Sequence, residues 1–120
     1  MTGAYETVLA ADELLAAITI PRLSPHARFG YFKVCRKAGE FALAMSAVLN
    51  DPEQGQLRMV IGATKGRPIV LADGREILGG GATIHEPAFL RLLNQHGISE
   101  RSVQRQQLAA AARAYDQTTQ

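Results

Sequence analysis

Phe41-Ala42-Leu43-Ala44-Met45-Ser46-Ala47-Val48-Leu49, the turn Asp51-Pro52-Glu53-Gln54-Gly55, and Gln56-Leu57-Arg58-Met59-Val60-Ile61-Gly62-Ala63-Thr64 decide the fold of this chain. In the first run Phe41, Leu43, Met45, Ala47 and Leu49 fall on one side of an extended backbone, and the smaller Ala42, Ala44 and Ser46 on the other. In the second run Leu57, Met59, Ile61 and Ala63 share a side. Asp, Pro and Gly between the runs are turn formers. Ala, Leu and Met are also good helix formers, so alternation favours a strand over 41–49 while propensity leaves a helix open.

Downstream, Ile69 to Leu71 reads as a short strand or the lead into a helical turn, and Gly79-Gly80-Gly81 as a flexible joint. Pro87 suits the first helical position, where its missing N–H costs nothing. Phe89, Leu92, Leu93 and His96 follow at helical spacing as one buried stripe, and Gly97 ends that helix. Ser99 or Ser102 is placed to cap a further, alanine-rich helix running through Leu108 to about Tyr115. Upstream, residues 14–20 read as a strand stopped by Pro21, Ser24-Pro25-His26 as a turn, and residues 29–39 as irregular. Strands followed by helices indicate α+β: a small antiparallel sheet of three to four strands with about three helices on one face.

At 120 residues the chain is one domain able to bury a single core. Its 47% apolar content is too high for a disordered chain. The net charge of +2 is too small for a dedicated nucleic-acid binder. One cysteine permits no internal disulfide. No apolar run nears the roughly 20 residues of a membrane span, and Glu6, Asp12 and Glu13 break up the N-terminus as a signal peptide. A cytoplasmic protein without membrane or nucleic-acid partners is expected.

The segment from Phe29 to Ala42, Phe-Gly-Tyr-Phe-Lys-Val-Cys-Arg-Lys-Ala-Gly-Glu-Phe-Ala, sets Lys33, Arg36, Lys37 and Glu40 beside Tyr31, Phe32 and Phe41. It resembles the C-terminal domain of the flavin-binding (medium) subunit of molybdenum hydroxylases, the carbon-monoxide dehydrogenase and xanthine dehydrogenase family. That family carries Phe/Tyr-x-Lys, a basic pair and then Glu/Asp-Phe-Ala opening a strand. The likeness begins at Ala17-Ile18-Thr19-Ile20-Pro21 and continues through Val60-Ile61-Gly62-Ala63-Thr64 and Arg67-Pro68-Ile69-Val70-Leu71. It covers roughly residues 14–75 well and the last helix loosely, and it decides the 41–64 region in favour of an antiparallel hairpin.

The resemblance implies a lead-in over residues 1–13 and a single domain over 14–117. It also implies an accessory role in a FAD-dependent oxidoreductase, not catalytic alone. Electrons pass from a molybdopterin large subunit through an iron–sulfur small subunit to FAD in the medium subunit, then to an external acceptor. Lys33 matches the family's flavin-contacting lysine, a cation that stabilises negative charge on the reduced ring. The N-terminal portion that holds most of the FAD, with its glycine-rich phosphate-binding segments, has no counterpart among these residues. The chain alone is therefore expected to be colourless.

Each candidate also has a plainer reading. By composition Lys33 is a solvated surface lysine. Arg36, Lys37 and Glu40 read as a local ion-pair cluster, a partner contact or, at least as well, a solvated charged loop, since an exposed pair is worth only about 0–1 kcal/mol. The family often has Arg-Arg where this chain has Arg36-Lys37, and lysine cannot make a bidentate guanidinium contact. Tyr31 and Phe32 suit packing, and Gly62 suits a close approach or a bulge. Residues 62–67 lack the order of a phosphate loop, no G-x-G-x-x-G is present, and His26, His85, His96 and Cys35 lack metal-ligand spacing. Cys35, between Lys33 and Arg36, has no evident base or orienting partner and reads as a small packing residue. A non-enzymatic subunit-assembly module is the alternative function; a free-standing enzyme using Cys35 or a histidine is remote.

Overall fold

In the computed structural model, residues 2–3, 5–79 and 83–119 are described, so Gly80 and Gly81 of the expected joint lie outside them. Four strands form an antiparallel meander in the order β1 (Arg28–Val34), β2 (Ala44–Asp51), β3 (Gln56–Gly62) and β4 (Ile69–Leu71). Three helices follow, α1 (Arg75–Leu78), α2 (Glu86–Gln95) and α3 (Arg101–Thr118). The α+β architecture expected from sequence is present. The hairpin at Asp51–Gln56 turns through Gly55 at φ 62°, in the left-handed region that glycine enters without penalty.

Pleating decides which side of the sheet is covered. Ala44, Ser46 and Val48 of β2, Met59 and Ile61 of β3, and Ile69 of β4 are buried. Of these, Val48, Met59, Ile61 and Ile69 meet Ile77, Leu78, Phe89, Leu93, Ala111, Ala114 and Tyr115 in one core. In β2 the smaller residues therefore face the helices. Small side chains on both partners let α3 lie close to the sheet, and Gly30 marks the tightest point: a Cβ there would sit 1.8 Å from the Ala114 carbonyl oxygen. Phe89 is fully buried, and truncating such a ring typically costs about 3–5 kcal/mol.

Polar contacts fix α3 on the sheet. Gln107 Nε2 donates to the Gly62 carbonyl at 3.0 Å, and the Tyr115 hydroxyl donates to the Leu78 carbonyl at 2.6 Å. At the far end, the side-chain amide of Gln117 bonds the main chain of Tyr31 on the outer edge of β1. Helix α2 ends in a Schellman arrangement, with Gly97 at φ 76°, Gly97 N–H to Asn94 O at 3.1 Å and Ile98 N–H to Leu93 O at 2.9 Å.

Several expectations need correction. Residues 14–20 form no strand; they are extended, solvent-exposed and without hydrogen bonds to any described residue. A strand needs a partner edge, and none of the four strands of this sheet pairs with them. Residues 28–34, read as irregular from 29 onward, are the regular strand β1, because pairing with β2 overrides the charge and glycine content. His96 is exposed at the end of α2, outside the buried stripe. Neither Ser99 nor Ser102 caps α3; its N-cap is Glu100, whose carboxylate accepts from the Ser102 hydroxyl. Radius of gyration reflects the unpaired segment: 15.3 Å, against about 13.6 Å for a compact domain of this length.

Candidate functional site

The side of the sheet away from the helices is open. Register and pleat place Phe29, Tyr31 and Lys33 of β1, Met45, Ala47 and Leu49 of β2, Arg58, Val60 and Gly62 of β3, and Val70 of β4 on that side. Phe29 is 63% exposed, Tyr31 47% and Val70 66%, so the face is largely apolar and only partly self-covered, with Lys33 and Arg58 as its charged residues. Lys33, Met45 and Gly62 lie opposite one another in a single row across three strands.

Met45 fills the space that Gly62 leaves: a Cβ on Gly62 would lie 2.3 Å from the Met45 methyl carbon. The glycine thus admits a side chain of its own sheet. The Tyr31 hydroxyl donates to the Met45 sulfur at 3.7 Å, a contact between a phenol and a soft thioether. Lys33 is half-buried by its stem, and its Nζ donates to the main-chain carbonyl of Glu40 at 3.4 Å. That contact leaves the charge without a counter-ion among the described residues. The row sets a cation beside a thioether, and Tyr31 of the adjacent row brings its phenol to the same thioether.

The neighbouring residues divide between the two faces. Phe32 turns to the helix side, where the Arg113 guanidinium stands 5.6 Å from its ring centre. Arg36, Lys37 and Glu40 lie exposed in the loop after β1, and no ion pair among the described residues joins them, so of the open readings the ion-pair cluster does not form. Cys35 is half-buried and free, and neither it nor a histidine lines the clefts between the helices. One of those clefts, of about 220 Å³, is walled by Glu86, Leu90, Arg101, Gln104, Arg105 and Leu108. Among the described residues no helix is long and apolar enough to cross a membrane.

A second structural centre escaped the sequence reading. Asp51 closes β2 with its carboxylate fully buried, accepting from the Ser24 hydroxyl at 2.5 Å, the Ser24 N–H at 3.0 Å and the Gln54 N–H at 3.3 Å. The Ser24 hydroxyl, then its N–H, hold the carboxyl below the ordinary aspartate range, and burial opposes them. Gln54 Nε2 also donates to the Arg22 carbonyl, and His26 pairs with Glu53. Residues 22–26 are thereby tied to the β2–β3 turn. Asp51 in a turn is a visible signal; its partner, at a separation of 27 residues, is not.

No family model matches the chain, and no solved structure matches it. Among curated proteins, the nicotine 6-hydroxylase medium subunit of Paenarthrobacter nicotinovorans is 32% identical over 81 residues. That alignment takes in 65% of this chain and 28% of the relative's length. The chain is therefore similar to a part, less than a third, of a hydroxylase medium subunit.

Proposed function

We propose that residues 14–117 act as the C-terminal accessory domain of the flavoprotein subunit of a molybdenum hydroxylase, helping to close a FAD site held mainly by a separate N-terminal portion. The observation that carries this reading is Lys33, an ammonium without a counter-ion on an open, apolar sheet face. The sequence similarity to a medium subunit gives that position its meaning.

The face suits one end of FAD and not the other. An ammonium beside Tyr31 and Met45 complements a planar ring with a polar rim. The face is built of strands whose backbone groups are largely taken up by neighbouring strands, leaving no nest of free N–H groups for a pyrophosphate. FAD bound there would supply the electron-transfer chemistry between molybdenum and iron–sulfur centres and an external acceptor. Lys33 contributes a fixed positive charge at the ring's edge, while Tyr31, Met45 and Leu49 exclude water from it. The partners of this reading are the FAD-binding portion, an iron–sulfur small subunit and a molybdopterin large subunit, in the cytoplasm.

Reconstitution with a FAD-binding portion tests it. Lys33→Ala is expected to lower the flavin's reduction potential or its retention, and an unchanged potential with unchanged retention overturns the reading. The exposed apolar residues between Tyr5 and Leu23 favour a second role, subunit assembly without flavin contact. In that case Lys33→Ala leaves the flavin untouched while the subunits still associate.

A further inference from the structure

Residues 14–20, Leu-Leu-Ala-Ala-Ile-Thr-Ile, expose four large apolar side chains to solvent. Leu14 is 91% exposed, Leu15 67%, Ile18 75% and Ile20 82%. No hydrogen bond joins these residues to any described residue, so a run of backbone N–H and C=O groups is left to solvent beside large apolar side chains. Leu14, Ala16, Ile18 and Ile20 alternate with Leu15, Ala17 and Thr19, which is strand spacing. Asp12 and Glu13 precede the run and Arg22 follows it, but no charge lies within it.

The segment is nonetheless held in place. Its C-terminal end is anchored through Arg22, Ser24 and His26 to Gln54, Asp51 and Glu53. It pairs with no edge of its own sheet: at the middle of β1 the outward groups of Tyr31 are occupied by Gln117, and β4 has only three residues. An anchored, uncharged, alternating segment with free backbone groups is built to be added to a sheet in another polypeptide.

We infer that residues 14–20 form a strand by adding to the open sheet edge of a partner polypeptide whose sheet buries the Leu14, Ile18 and Ile20 side. That this partner is the FAD-binding portion rests on the reading given above. Main-chain pairing supplies the affinity, and the alternate apolar side chains fix the register.

Hydrogen exchange measured on the isolated chain and on the complex that contains it in its source cells tests the inference. Amides of residues 14–20 should exchange freely in the isolated chain and at least about tenfold more slowly in the complex. Equal exchange in both states overturns it, and so does recovery of the chain from those cells only as an unprotected monomer. Ile18→Pro removes one N–H from a residue with no contacts of its own. It should leave the unfolding of the isolated chain unchanged and reduce recovery of the complex about tenfold or more; unaltered recovery overturns the inference. The flavin content of the same complex separates the two readings. Protected amides without flavin sustain strand addition and remove the flavoprotein reading, whereas flavin with unprotected amides does the reverse.

Discussion

Gln117 stands in for a neighbouring strand at Tyr31: the Tyr31 N–H donates to Gln117 Oε1 at 2.9 Å, and Gln117 Nε2 donates to the Tyr31 carbonyl at 3.1 Å. A single side-chain amide thus satisfies both outward main-chain groups at the middle of an edge strand. Edge strands invite pairing with other chains, and this contact blunts the edge. Gln117→Ala is expected to cost about 1 kcal/mol in denaturant unfolding. It should also make the chain associate at high concentration, which light scattering detects. Gln117→Glu keeps the acceptor but loses the donor, and should fall between the two.

Gly30 and Gly62 predict opposite tolerance. At Gly30 an added methyl meets the backbone of α3, which cannot yield without moving the helix, so Gly30→Ala should destabilise by about 3 kcal/mol or more. At Gly62 it meets the flexible end of Met45, so Gly62→Ala should cost less, about 1 kcal/mol. Adding Met45→Ala should relieve the steric part of the second cost and none of the first. Urea midpoints of the variants and of the double mutants check this.

The Asp51 carboxyl titrates below the ordinary aspartate value of about 3.9, because the Ser24 hydroxyl and N–H favour its charged form. The stability it contributes is complete above that value and is lost as pH falls through the lower folded-state value. Acid should therefore release residues 22–26 from the turn. Asp51→Asn and Ser24→Ala should each reduce the difference in stability between neutral pH and pH values below about 3.9. An unchanged acid transition in both variants refutes the assignment.

Tyr115 buries its hydroxyl against the carbonyl of Leu78, joining α3 to the end of α1. Tyr115→Phe keeps the ring and leaves that carbonyl without this donor, at a cost of about 1–2 kcal/mol in thermal or urea unfolding.

For Lys33, removing the charge should lower the two-electron potential of a reconstituted flavin by about 30 mV or more, corresponding to a tenfold change in equilibrium constant. Lys33→Arg should recover most of that shift. Redox titration of the three proteins distinguishes a charge effect from simple loss of packing.

The parts of the fold that could be read from sequence were those set by local pattern. For the 44–62 hairpin, alternation and turn residues favoured strands and the family resemblance decided against a helix, while the end of α2 followed from Gly97. β1 was missed because its alternation of Phe29, Tyr31 and Lys33 against Gly30, Phe32 and Val34 puts a glycine on the covered face and a lysine on the open one. Hydrophobic periodicity cannot recognise a glycine that is buried because a helix backbone crosses it. The strand expected over 14–20 rested on an apolar run stopped by Pro21, and such a run states only that a segment suits a sheet and not that its own sheet pairs with it. Lys33 was singled out by resemblance, whereas the Lys33–Met45–Gly62 row depends on strand register, which no single segment contains.

Because β2 gives its small residues to α3, folding of the isolated chain and the character of its bare side are under separate control. Polar replacements at Tyr31, Leu49 or Val70 leave the helix seam intact, so solubility and association become adjustable without rebuilding the interior. Evolution has the same freedom: this surface can drift toward new companions while the seam at Gly30 and Ala114 stays fixed.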